Sequence, residues 1–107
     1  MPYYLIQAAY GSEAWSGLIQ KPHDRAEAIR PGVEAVGGRI VGLWYSFGDY
    51  DLVGIFEMPT NVDIAAFMLA AGANPSVKAI KTTALLTMEE GLEAMQKAPS
   101  AGYRPPA

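Results

Sequence analysis

The sequence predicts an α+β fold, an antiparallel four-stranded sheet with helices on one face and an added C-terminal helix. Three observations carry this. Four runs rich in Tyr, Val, Ile and Leu have the length and composition of strands: residues 2–10, 39–47, 51–58 and 76–86. Helical patterns opened by capping residues fill the first and third gaps between them. The middle gap holds only a glycine turn, which makes the second and third runs a hairpin. The chain has 107 residues, half of them apolar, enough for one core.

The first strand, Pro2 to Tyr10, ends at Gly11-Ser12. Ser12 is a candidate cap for a short helix through Gln20, with Glu13 in its first turn. Lys21-Pro22 interrupts that helix. Asp24 caps the next, with Glu27 three residues on as its box partner. This helix should run toward Val36 and stop at Gly37-Gly38, where glycine can take positive φ. Pro31, beside Gly32, removes an amide donor and should kink or split it. The strands Arg39–Phe47 and Asp51–Met58 follow. Gly48-Asp49 fits a two-residue type II′ turn closed by Phe47 and Tyr50. Pro59 ends the third strand. Thr60 or Asn61 caps a helix to about Ala73, with Ile64, Phe67 and Met68 on one face. Asn74-Pro75 breaks it before the last strand, Ser76–Leu86. Thr87-Met88-Glu89-Glu90 is a capping box, and its helix should reach about Ala98. Strand, helix, strand, strand, helix, strand is the split βαβ, ferredoxin-like order. It occupies residues 1–98. Residues 99–107, PSAGYRPPA, read as a flexible Pro-rich tail.

The hairpin register sets two faces. Phe47 opposite Tyr50, Tyr45 opposite Leu52, Leu43 opposite Gly54 and Val41 opposite Phe56 give an apolar side for the helices. The other side carries Trp44, Val53, Ile40 and Ile55, interrupted by Ser46, Asp51, Gly42 and Glu57. That is too apolar for a face left in water. The expectation is a homodimer whose two sheets pack face to face, a dimeric α/β barrel. Trp44, Ser46, Asp51 and Glu57 are candidates to line a pocket between the sheets for a small apolar or aromatic ligand. The competing reading is a polar rim, with Asp51 and Glu57 paired to Arg39 or Lys81.

Several function classes have no residues to carry them. Net charge is −3 and the eight Lys and Arg are scattered, so no nucleic-acid partner is expected. With no Cys and one His, no metal is expected. No glycine run matches a phosphate or dinucleotide loop, and no cofactor is expected. The N-terminus lacks a signal-peptide pattern and no run reaches the roughly 20 apolar residues of a membrane helix. A soluble cytoplasmic protein is the default. Asp49 is explained by turn preference. His23, Tyr50 and Asp51 remain as candidate acid–base residues. Tyr3, Tyr4, Tyr10, Tyr45 and Tyr50, with Trp15 and Trp44, can stack on a planar ligand or serve the core. Three readings follow: a binding or structural oligomer, a cofactor-free isomerase- or oxygenase-like enzyme, and a partner-binding subunit that uses the tail.

Gly48-Asp49-Tyr50-Asp51, followed by LVGIFEMP, resembles the GYD domain family of small bacterial proteins. Gly48, Tyr50 and Asp51 match the family's signature. Gly37-Gly38, Glu57, Pro59 and KTTALLTMEE extend the likeness over residues 2–97. The resemblance implies a ferredoxin-like fold related to dimeric α/β-barrel proteins, without a set reaction. The Pro31-Gly32 pair is unusual for that family's first helix.

Overall fold

The computed structural model describes residues 1–106. Its elements are β1 (Tyr3–Tyr10), α1 (Ser12–Gln20), α2 (Arg25–Ala35), β2 (Arg39–Tyr45), β3 (Leu52–Glu57), α3 (Asn61–Gly72), β4 (Val77–Leu85) and α4 (Met88–Lys97). A 3-10 turn, Ala98–Ala101, follows. The sheet order is β2-β3-β1-β4, and each neighbouring pair is antiparallel. This is the α+β, ferredoxin-like architecture that the element order predicts.

The two central strands alternate with the period of an extended chain. Tyr4, Ile6 and Ala8 of β1 and Leu52 and Phe56 of β3 are buried. Val33 of α2, Ile64 of α3 and Met58 join Tyr4, Ile6 and Phe56 in one core cluster. Ile29, Val36, Phe67 and Met68 pack around it. A phenol this deep needs a partner. The Tyr4 hydroxyl donates to the side-chain oxygen of Asn61, the first residue of α3.

Most helix ends follow the chemistry expected of them. Asp24 accepts from the Ala26 and Glu27 amides, and Thr60 from that of Asp63. Thr87 and Glu90 form the reciprocal capping box. Gly37 has φ +84°. Its amide donates to Glu34 and that of Gly38 to Val33, the pairing that closes a helix on a left-handed glycine. A Cβ on Gly38 would lie 2.3 Å from the sulfur of the fully buried Met58, so this second glycine is set by close packing.

Four local expectations are corrected. The N-cap of α1 is Gly11, whose carbonyl accepts from Ala14 and Trp15; Ser12 is the first helical residue. Second, Pro31 does not split α2, which continues through it as one element. Its capped start, its closed end and the fully buried Val33 hold both halves against the lost hydrogen bond. Third, β2 and β3 are joined by residues 46–51, not by a two-residue turn. Ser46 donates its amide to Asp51 and its hydroxyl to the Tyr50 carbonyl, both at 2.8 Å. Gly48 takes φ +140°, and Phe47, 98% exposed, does not pair with Tyr50. The cause is non-local. The Asp51 amide donates to Ala8 and its carboxylate accepts from the Tyr10 amide, so this end of the hairpin follows β1.

The fourth correction is a bulge at Val41. Tyr45, Trp44 and Leu43 pair with Leu52, Val53 and Gly54 as expected. Beyond Gly42, Phe56 faces Ile40 instead of Val41. One extra residue turns the later side chains over. Ile40 packs against the core, and Val41 is exposed.

The face away from α2 and α3 carries Leu5, Val53 and Ile55, all half-buried, and Trp44, 56% exposed. The Trp44 ring lies over Gly42, where a Cβ would come within 2.4 Å of it. α4 buries no residue, and Met88, Leu92 and Met95 form an exposed stripe at helical spacing. The radius of gyration is 16.9 Å, against about 13 Å for a compact chain of this length. Among the described residues, no helix is long and apolar enough to cross a membrane.

Candidate functional site

A chamber of about 80 Å³ lies between the sheet and helices α2 and α3. Small residues border it, and at the glycine among them the neighbours already fill the space a side chain would take. Ala8 of β1, Gly54 of β3 and Ala71 of α3 all line it. A Cβ on Gly54 would sit 2.7 Å from Leu43 Cδ1 and 3.2 Å from Phe56 Cε1. Ile29, Leu52, Phe67 and Met68 complete an apolar wall, and only Tyr10 and Arg25 bring polar groups to it.

Those two residues, with Val77, also line a more open groove of about 380 Å³. Glu13, Lys21 and His23 stand around it, with Asn74 and Ser76 opposite. The chamber and the groove therefore adjoin. Tyr10 reaches this junction from the end of β1, where the pairing with β4 shifts register. Trp15 of α1 meets Tyr10 edge-on at 5.5 Å and Tyr45 at 6.0 Å, fastening α1 to the ends of two strands.

The imidazole of His23 has an assignable tautomer. Its Nε2 lies 3.1 Å from Arg25 Nη1. Guanidinium only donates, so Nε2 accepts and the proton is on Nδ1. Nδ1 then donates to the Lys21 carbonyl, 3.1 Å away. In this tautomer His23 props Arg25 at the junction.

The titration of Tyr45, beside Trp15, is displaced. Burial raises its pKa above 10.0, with the Tyr10 phenol and Asp24 adding to the rise and Arg25 opposing it. The folded chain therefore keeps this proton where the unfolded chain is losing it. The stabilisation is complete below pH 10.0 and is lost as pH rises through the raised folded value. In a titration followed by phenolate absorbance, the Tyr45→Phe protein is expected to lose one phenol's worth of the absorbance change that the wild type shows above pH 10.0.

The residues singled out from sequence fall in different places. His23 lines the groove. Tyr50 and Asp51 lie in the β2–β3 connection, where the Asp51 carboxylate is 2.8 Å from the Tyr10 amide. Ser46 is bonded to the Tyr50 carbonyl. Glu57 makes a 2.8 Å ion pair with Arg39, the rim pairing weighed against a ligand role. Trp44 is on the opposite face of the sheet. None of Trp44, Ser46, Asp51 and Glu57 lines the chamber. Arg25 was not a candidate, although a cation in the first turn of a helix opposes the helix dipole and marks a residue placed for something else.

Residues 4–95 match the model of the GYD domain. The chain belongs to the GYD domain family. Two of the three signature residues have visible structural work in this member. Gly48 supplies a positive φ, and Asp51 ties the hairpin connection to β1.

Two solved structures share the fold. FFRP-DM1 superposes with a TM-score of 0.52 at 16% identity, over 80% of this chain and 100% of that one. The hypothetical protein PHS023 from Pyrococcus horikoshii gives 0.52 at 15%, over 81% and 92%. At such identities the likeness concerns architecture alone. Segments of the genome polyproteins of Hepatitis C virus genotype 2k (isolate VAT96) and genotype 2c (isolate BEBE1) are 33% and 30% identical over 92 residues. Each match covers 80% of this chain, which spans 3% of either polyprotein.

Proposed function

We propose that this GYD domain protein is a small-molecule-binding module that acts as a homodimer, with its ligand in the chamber between the sheet and α2 and α3. The observation that carries this is the chamber itself: apolar walls, a polar junction at Tyr10 and Arg25, and a way out through the groove. A core of small and large residues would normally close such a space.

A short neutral alcohol tests the chamber without prejudging the natural ligand. Butan-1-ol added to methyl-labelled protein is expected to shift the methyl resonances of Ile29, Leu52 and Met68. Ala71→Leu, which fills the space from α3, should abolish those shifts. Shifts confined to α4, or unaffected by Ala71→Leu, would remove the reading.

The homodimer is supported by the open face of the sheet. Leu5, Val53 and Ile55 lie together on the two central strands, with Trp44 beside them on β2. A cofactor-free acid–base enzyme would use the same chamber and groove. His23 is the candidate of that kind that lines the space.

A further inference from the structure

We propose that the ligand is a short amphiphilic carboxylate, its apolar end in the chamber and its carboxylate at the junction against Arg25, with Lys21 beside it in the groove. This rests on the chamber reading and adds the chemistry of the ligand. Arg25 lines both spaces, so one molecule can touch it from the chamber.

The position of Arg25 points to an anion. Arg30, Arg39 and Lys97 each hold a carboxylate of their own chain. Among the described residues, Lys21, Arg25, Lys78, Lys81 and Arg104 make no ion pair, and of these Arg25 and Lys21 line the groove. Asp24 is next to Arg25 in sequence, but its carboxylate is spent on the amides of Ala26 and Glu27. Glu13 is the one acidic residue of the groove. Glu13 and Asp24 match Lys21 and Arg25 in number, so the anion preference comes from the place of the Arg25 guanidinium at the apolar opening and not from a net positive field.

Geometry favours a carboxylate among anions. A guanidinium presents a planar fork that matches two carboxylate oxygens. His23 occupies one of its donors and fixes its place, leaving others for a ligand. The size limit comes from the chamber. At about 80 Å³ it is smaller than the roughly 150 Å³ that accepts benzene, which suits an apolar end of about three to five carbons.

Pentanoate and pentanamide differ in charge and little in shape. Calorimetry is expected to show pentanoate binding at least about tenfold more tightly, the scale of a hydrogen bond to a charged group. Arg25→Gln should erase that preference, so that pentanoate binds no more tightly than pentanamide. Circular dichroism verifies the fold of the variant, and Lys21→Gln, at an exposed position, gives a second, smaller reduction. Equal affinity of the two probes for the wild type would overturn the carboxylate assignment and leave the chamber intact. A preference that survives both substitutions would also overturn it. Failure of pentanoate, pentanamide and butan-1-ol alike would overturn the chamber reading with it.

Discussion

Phe56→Ala is expected to destabilise the chain by about 3–5 kcal/mol, the range for a large aromatic removed from a packed core. Phe56 is 1% exposed and lies on a central strand. Its ring meets Phe67 of α3 edge-to-face at 5.8 Å, so it joins the sheet to that helix directly. Domains of this kind are stable by about 5–15 kcal/mol in total, so the loss is a large share. Urea unfolding measures it. Phe47→Ala is the internal control, because Phe47 is 98% exposed and its loss should change stability by no more than about 0.5 kcal/mol. Comparable costs for the two phenylalanines would contradict the described core. Phe56 also lines the chamber, so its removal enlarges that space. A small apolar probe should then recover part of the lost stability by binding the folded form alone.

The contrast between Phe47 and Phe56 shows where sequence reading stops. Both stand in apolar runs, and simple alternation gives both to the helix-facing side. Helix ends were legible because their chemistry is local: Asp24, Thr60, Thr87 and the Gly37-Gly38 stop each act within a few residues. The register from Gly42 to Tyr45 was legible because it follows polarity. The hairpin connection was not, since its shape is set by bonds from Asp51 to Ala8 and Tyr10, some forty residues away. The bulge at Val41 was not either, because a β-branched residue beside glycine looks like ordinary strand.

The site was harder than the fold for a similar reason. The chamber is bordered by Ala8, Gly54 and Ala71, and three small residues far apart in sequence carry no common signal. The signature carboxylate Asp51 stands out in sequence, yet its visible partner is the backbone of Tyr10. That bond still bears on the site. It holds the end of β1 from which Tyr10 reaches the junction, so the signature residue supports the chamber without lining it. Tyr10 and Trp15 were visible as part of an aromatic set. The meeting of Tyr10 with Arg25 depends on the α1–α2 connection, which sequence does not fix.

Ile55→Asp is expected to convert the proposed homodimer into a monomer of 11.5 kDa, read by light scattering at micromolar concentration. Ile55 pairs with Leu5 on one side and Gly42 on the other, at the middle of the open face. In a two-fold dimer each substitution enters twice. An aspartate desolvated without a partner costs about 3 kcal/mol, so two of them weaken association by roughly 10⁴-fold. The folded chain itself should tolerate the change, because Ile55 is only half-buried in the single chain. Retained binding of butan-1-ol would show that the chamber, on the opposite face of the sheet, needs no second copy. A wild type that is already monomeric at this concentration removes the homodimer proposal. If Ile55→Asp remains dimeric while Leu92→Lys does not, the two copies meet through the stripe of Met88, Leu92 and Met95 on α4, not through the sheet.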